Sequence, residues 1–288
     1  MPPQTTLAAS TWRAYRLRAF HHAPRQRLKT PDDAVAFVEE RGFVYFWPNK
    51  GVDLPSLWSA VAGDRPVADA HDDPGHITWG WKDKLLPAKR WYYGKLLRGR
   101  ATMVALGALP YFYALSENYG EADDYLLQYE EGRLSQEAKA ILEVLLEHGP
   151  THTVNLRRET RMTTKDSNTR FERALNELQV GLKILPVGVA EAGAWRYSFI
   201  YDLLDRHFPE LPQRARPIGR GEARCHLLDL YLRSVGAATA PKMVSLFKWK
   251  PLEVQNALQS LAESAGARAV DKVGGDAGAW WVTGELAP

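Results

Sequence analysis

The chain has a single cysteine, no apolar run long enough to cross a membrane, and no strong excess of charge of either sign. One thiol excludes a disulfide within the chain. Without a stretch of about 20 apolar residues or a secretory signal, the sequence predicts a soluble cytoplasmic protein with no membrane contact. The net charge of +3 is small. A nucleic-acid partner therefore has to be argued from where charges cluster.

Apolar and aromatic residues are plentiful, at 45% and 11% of 288 residues. A chain of this length and composition can bury two or three cores. Alternation of helical stripes with short strands predicts an α+β, mainly helical fold. The strand at 43–48 is apolar on both faces and is expected to be buried. We expect strand and turn at 101–116, an acidic connector at 123–132, and a proline-marked linker at 209–217.

Residues 135–202 predict a winged helix-turn-helix. Helices are expected up to Gly149 and over 153–160 and 167–180, followed by strands at 182–190 and 195–202. The third helix places Phe171, Ala174, Leu175 and Leu178 on one stripe. In this architecture the third helix enters the DNA major groove, and the hairpin, or wing, lies on the backbone or an adjacent minor groove.

The same plan recurs further along the chain. Helices at 222–235, at 241–247 and from residue 251 precede strands at 267–273 and 279–283. Repetition of one plan favours tandem winged helix-turn-helix domains over a chance arrangement. The predicted domains are an N-terminal winged-helix-like unit (1–120), a central winged helix (133–209) and a C-terminal winged helix (219–286).

Polar and basic side chains on the second and third helices of the central winged helix predict contacts to the phosphates of double-stranded DNA. They are Arg157, Arg158, Lys165, Asn168, Arg170 and Arg173.

Aromatic and basic residues interleave over residues 77–100. Flat rings beside cations are the ingredients of nucleic-acid contact. The alternative is an amphipathic helix whose aromatic side chains fill the core while the cations face water. The residues chosen from this stretch are Trp79, Trp81, Lys82, Lys84, Lys89 and Arg90.

The loop at 63–76 carries side chains of metal-ligand type. Their spacing matches no established site, so we expect neither a metal nor a cofactor. The residues are Asp69, His71, Asp72, Asp73 and His76.

Three segments resemble the AlkZ/YcaQ-type winged-helix DNA glycosylases. ERGFVYFW at 40–47 lies at the position of the family's LG-V-Q-x-(Q/D) strand, and WGWKDKLLP at 79–87 is similar to its W-A-H-E-A-S-L-L-P segment. The stretch from 148 to WRYSFIYDL at 195–203 is similar to its central winged helix. The resemblance covers roughly residues 30–285.

The resemblance implies excision of an alkylated or crosslinked base. In the family, the two polar side chains of the Q-x-(Q/D) strand help water to attack the deoxyribose C1′. This chain departs from that pattern, because Tyr45 and Trp47 occupy the two polar positions and Trp81 replaces a histidine. Tryptophan accepts no proton, and a tyrosine with pKa about 10 is a poor base at neutral pH. Asp53 and Asp83 are the nearest carboxylates, and each is either a replacement base or a solvated or capping residue.

Two hypotheses follow. In the first, the protein binds alkylated, modified or distorted DNA as a monomer, with Tyr45, Trp47, Trp79 and Trp81 near the lesion. Binding without robust excision is then favoured over excision. The second hypothesis is a non-catalytic transcriptional regulator. Such regulators typically dimerise on two half-sites, whereas three winged-helix-like units in one chain allow one protomer to wrap a duplex.

Overall fold

The computed structural model describes residues 5–121, 123–193 and 196–286. Across these residues, short strands form three small sheets, and helices cover each sheet. The mainly helical α+β fold expected from the sequence is confirmed. Trp195, where the second wing strand was predicted to begin, lies outside the described residues.

The N-terminal unit is built around a buried three-stranded antiparallel sheet of order β2-β4-β3. Thr30 and Asp33 form a capping box at the start of α2, and Gly42 ends that helix with a φ of 76°. A Cβ at Gly42 would lie 2.6 Å from Leu230, so the C-terminal part of the chain packs closely here. The elements are β1 (Thr6–Leu7), α1 (Ala9–Ala19), α2 (Pro31–Arg41), β2 (Phe43–Tyr45), α3 (Leu57–Ala62), α4 (Ile77–Leu85), β3 (Tyr92–Lys95), β4 (Ala101–Val104) and α5 (Leu109–Tyr113).

The central winged helix has its own core. Ser135 caps its first long helix, and Ile141, Leu145, Phe171 and Leu178 are fully buried between that helix and the third one. Its sheet has the order β5-β7-β6. The elements are α6 (Asp124–Glu130), α7 (Gln136–His148), β5 (Thr151–His152), α8 (Thr153–Glu159), α9 (Asn168–Val180), β6 (Ile184–Ala190) and β7 (Ser198–Leu203).

The C-terminal part repeats the order of helix, helix, helix and hairpin. Its sheet has four strands in the order β1-β9-β10-β8, so the first strand of the chain completes it, parallel to β9. The elements are α10 (Leu204–His207), α11 (Leu211–Ala215), α12 (Arg220–Val235), β8 (Ala237–Thr239), α13 (Ala240–Phe247), α14 (Pro251–Glu263), β9 (Ala267–Val273) and β10 (Asp276–Thr283).

The two ends of the chain share one hydrophobic core. Phe43 of β2 meets Phe247 of α13 edge to face at 5.9 Å. Trp12 on α1 donates through Nε1 to the carbonyl of Val235 at 2.8 Å, and the Tyr15 hydroxyl donates to the carbonyl of Arg233 at 2.7 Å. Residues 6–19 thus pack on the C-terminal winged helix. The boundaries 1–120, 133–209 and 219–286 stay predictions.

Three short helices were not predicted. The segment at 101–116 holds helix α5 after its strand, the acidic connector holds helix α6, and the proline-marked linker holds helix α11. Each is short, of five to seven residues. Prolines at the first turns of α5 and α11 are compatible with a helix start, so they open these helices and do not break them. The stretch 77–100 is neither one helix nor all surface, because it contains α4 and then the buried strand β3.

Candidate nucleic-acid interface and base pocket

Two tryptophans predicted for the base pocket lie side by side at the end of β2. The ring centres of Trp47 and Trp79 are 6.0 Å apart and their planes are tilted by 54°. Trp79 is 43% exposed and Trp47 is half-buried. Behind them the indole of Trp58 donates to Nδ1 of His76 at 3.3 Å, and His76 meets Trp47 edge to face. The pair offers exposed ring surface on which an unstacked base can rest.

Trp81 does not belong to this pair. It is 6% exposed and lies in the core with Leu85. In a helix, residues two apart are related by a rotation of about 200° around the axis. Trp79 and Trp81 of α4 therefore lie on nearly opposite faces. The prediction of Trp81 as a stacking platform is corrected: its ring stabilises the core.

Tyr45, the last residue of β2, is fully buried. Its hydroxyl makes a long hydrogen bond, 3.5 Å, to the carbonyl of Leu97. Burial raises the pKa of Tyr45 to about 12, against the opposing charges of Arg98 and Arg100. The structure therefore places this candidate in the core, where it neither meets a base nor exists as a phenolate at neutral pH.

Asp53 joins two distant helices through ion pairs. It accepts from Arg16 of α1 at 3.0 Å and from Lys242 of α13 at 2.7 Å. Burial by itself raises the pKa of Asp53, but the hydrogen bond from Lys242 and the charge of Arg16 outweigh it, so the pKa lies below its usual range. A carboxylate held by two cations is a weak proton acceptor. Asp53 is thus a structural clamp between the ends of the chain.

Replacing Asp53 by Asn is expected to destabilise the protein by about 1–3 kcal/mol at pH 7, because two cations lose a charged partner. A carboxyl whose folded pKa is depressed stabilises the fold above its unfolded pKa of about 3.9, and this contribution is lost as pH falls through the folded value. The difference between wild type and Asp53→Asn should hence shrink below about pH 4. Urea unfolding across pH measures it; a difference that persists undiminished at pH 2 to 3 would contradict the clamp.

Lys82 was predicted to bind DNA as a solvent-exposed cation, and the structure corrects this placement. The residue is 1% exposed. Its Nζ donates to the Tyr197 hydroxyl at 2.8 Å and pairs with Asp83 at 2.7 Å. Tyr197 in turn donates to Asp83 at 2.8 Å. Asp83, a candidate base, is therefore held in a three-membered polar cluster.

Some of the cations predicted in the central winged helix are bound within the protein, and others are exposed to solvent. Arg157 lies over the ring of Phe171 and binds Glu172 and Asn168 at 3.0 and 2.8 Å, so it braces the fold. Arg170 is 62% exposed and pairs with Glu137 at 3.1 Å. Arg158, Lys165 and Arg173 are also exposed, and Arg158 lies 3.2 Å from Glu159.

The C-terminal half of α9 is covered by the N-terminal unit. Tyr92 donates to the carbonyl of Gln179 at 3.4 Å, and the amide of Lys95 donates to Oε1 of Gln179 at 3.0 Å. A Cβ at Gly99, whose φ is 64°, would lie 2.8 Å from Oδ1 of Asn176. This contact leaves the first turns of α9, with Asn168, Arg170 and Arg173, exposed to solvent.

The remaining cations predicted in the N-terminal unit, Lys84, Lys89 and Arg90, are exposed. Lys89 donates to the carbonyl of His207 at 2.6 Å, and Arg90 lies 3.6 Å from Asp32. Lys89 therefore ties the N-terminal unit to α10, while Lys84 projects into solvent.

Three side chains that sequence reasoning missed belong to this region: Trp58, Tyr197 and Phe199. Tyr197, Phe199 and Tyr201 alternate along the segment leading through β7, which is the period of one face of a strand. That alternation was the available signal, but not which helix the face would meet. Among residues 5–121, 123–193 and 196–286, no cluster of three or more His, Cys, Asp or Glu side chains could hold a metal ion. In the same ranges no helix is long and apolar enough to span a membrane.

Comparison with known proteins gives two matches of different kinds. The profile of the AlkZ-related family matches residues 28–248. The structure resembles the DNA glycosylase AlkZ of Streptomyces sahachiroi with a TM-score of 0.59 and 13% identity, over 98% of this chain and 71% of that one. No curated protein matches the sequence. The structural likeness at this identity supports the fold, and the family match, which spans well over half of the chain, shows that the protein belongs to the AlkZ-related family.

Proposed function

We propose that the protein binds double-stranded DNA carrying an alkylated, modified or distorted base, in DNA repair, and that it does not excise bases efficiently. It acts as a monomer in the cytoplasm. The observation that carries this proposal is the state of the three candidate bases: each is buried or bound. Membership in the AlkZ-related family supports a repair-related role.

Base excision by water is accelerated by a group that accepts a proton beside C1′. Tyr45 is enclosed and has a raised pKa. Asp53 is bound by two cations. Asp83 accepts from Tyr197 and pairs with Lys82. Tyr45 and Asp53 are therefore poor acceptors of a proton from water. Asp83 exchanges protons with its own partners, Lys82 and Tyr197. Activation of water at the end of β2 is weak, while the rings of Trp47 and Trp79 still offer stacking.

Binding would come from two surfaces. The first turns of α9, with the neighbouring Arg158 and Lys165, present exposed cations to phosphates. The exposed ring pair Trp47 and Trp79 accepts a base that has left the stack. A lesion that already weakens stacking lowers the cost of exposing that base. Preference for damaged over intact duplex follows from this second surface.

Excision is tested with duplexes that each carry one alkylated base, by quantifying released base. We expect no release above the spontaneous rate for wild type. Tyr45→Phe is the matched variant, because it removes the hydroxyl and keeps the ring. It should bind DNA like wild type and be destabilised by less than about 1 kcal/mol, since the lost hydrogen bond is long. Efficient release by wild type that Tyr45→Phe abolishes, with DNA affinity intact, would show that the protein is an enzyme.

A further inference from the structure

Lys82 occupies a site unlike that of an ordinary surface lysine. Its Nζ lies 4.4 to 5.8 Å from the centres of five aromatic rings. The rings come from four segments of the chain, and together they remove water from the amine. They belong to Phe46, Trp79, Tyr93, Tyr197 and Phe199.

A structural role alone does not account for these groups. Replacing a buried ion pair by apolar side chains of similar volume is often neutral or stabilising, so burial of a charge is weak evidence for stability. Leu or Met at position 82 could fill the same space among the rings. The arrangement instead keeps an amine beside a carboxylate and a phenol, dry and fixed in position. Lysine desolvated in an apolar pocket is a form in which its amine acts as a nucleophile toward carbonyl carbon.

Its position connects the amine to the exposed aromatic pair. Trp79 and Lys82 are three residues apart on α4 and therefore neighbours on one helix face, with Nζ 4.7 Å from the ring centre of Trp79. Trp79 packs against Trp47 on its other side. An extrahelical sugar whose base is missing would enter at these rings. The group it brings is the aldehyde of the ring-opened abasic deoxyribose.

We propose that Lys82 is a nucleophile that captures abasic sites in duplex DNA by forming an imine with C1′ of the ring-opened deoxyribose. This inference rests on the proposed function, recognition of damaged duplex. It adds a covalent activity toward a lesion that contains no base, for which activation of water is not needed.

The step balances without any co-reactant. The neutral Nζ attacks C1′, the carbonyl oxygen takes up a proton, and the resulting carbinolamine loses water to give the imine. The ammonium proton passes to Asp83, 2.7 Å away, and Tyr197, hydrogen-bonded to both, can return one to the departing oxygen. Burial lowers the pKa of the Lys82 ammonium, while the hydrogen bond and charge of Asp83 oppose that change.

Access requires one wall to move, and Trp79 is that wall. Among the five residues whose rings surround Nζ, Trp79 is 43% exposed. Its neighbour Gly80 has open space around its Cβ position. Turning of the indole toward solvent would uncover the amine from the side of Trp47. We therefore expect Trp79→Ala to weaken DNA binding but to raise the rate of capture at saturating duplex, since it removes the cover without touching Nζ.

The experiment incubates the full-length protein with a duplex containing one abasic site and sodium cyanoborohydride, which reduces an imine to a stable amine. Covalent complex is then counted on a denaturing gel. The expected result is an adduct whose digestion and mass spectrometry place the sugar on Lys82. Lys82→Met should lose the adduct. Lys50→Met, at an exposed lysine outside the predicted interface, should form it as wild type does.

Mapping the wild-type adduct keeps the test valid even if Lys82→Met fails to fold. An adduct on another lysine, or undiminished trapping by folded Lys82→Met, would overturn the proposal. Fluorescence anisotropy on the same duplex without reductant measures DNA binding separately from imine formation. Binding without any adduct overturns the role of Lys82 alone, whereas no binding to any duplex overturns the proposed function and this inference together.

Discussion

Replacing Arg170 and Arg173 by alanine together is expected to weaken binding to duplex DNA and to flatten its salt dependence. Both side chains are exposed on the open first turns of α9. Each phosphate contact contributes about 0.9 to the slope of log affinity against log salt, so loss of two should reduce the slope by about 1.8. Anisotropy titrations at several salt concentrations measure both quantities.

A matched control removes the same charge elsewhere. Arg133 and Lys139 also carry two positive charges, and they pair with acids, Arg133 with Glu117 and Glu131 and Lys139 with Glu143. The double alanine variant at these positions should keep the wild-type slope. An unchanged slope in folded Arg170→Ala/Arg173→Ala would remove α9 from the interface. An equal loss in both double variants would mean that net charge governs binding.

Trp58→Ala is expected to have the largest effect on stability, a loss of about 3–5 kcal/mol. The side chain is fully buried behind the aromatic pair, and its indole donates to His76. A Cβ on Gly75 would lie 2.7 Å from the indole nitrogen, so the site is tightly packed and cannot collapse easily around a cavity. The free energy of unfolding in urea measures the loss.

Trp79→Ala supplies the comparison, because it removes the same side chain from the exposed side of the same cluster. Its 43% exposure predicts a smaller loss, about 1 kcal/mol. Trp79→Ala should instead weaken binding to damaged DNA, because it removes stacking surface. Equal destabilisation by the two variants would contradict the assignment of Trp58 to the core and Trp79 to the interface.

Much of the fold could be predicted because its signals are local. The stripe of Phe171, Ala174, Leu175 and Leu178 on α9 has the period of a helix with one apolar face, and all four are buried as expected. The starts of α2 and α7 carry equally local signals, because the side chains of Thr30 and Ser135 accept hydrogen bonds from the first turn of each helix. Short helices such as α5 and α11 were missed because five residues, fewer than two turns, carry too little periodicity.

The candidate site was less predictable because its partners lie far apart in sequence. Asp53 meets Lys242 across 189 positions, and Lys82 meets Tyr197 across 115. No local pattern reveals that a lysine between Trp81 and Asp83 turns inward, since such residues usually face water. The family resemblance supplied the segments from which the candidate site is drawn. Only packing decides that Trp47 and Trp79 face outward while Tyr45 and Trp81 do not.

Recognition of a lesion without its excision is tested by comparing two duplexes of one sequence, intact and with a single alkylated base, at the same salt concentration. Equilibrium affinity and released base are recorded in parallel. The damaged duplex is expected to bind at least about tenfold more tightly, a difference of about 1.4 kcal/mol, with no base released above the spontaneous rate. Equal affinity for the two duplexes would contradict lesion recognition and favour a regulator, and rapid base release would contradict binding without excision.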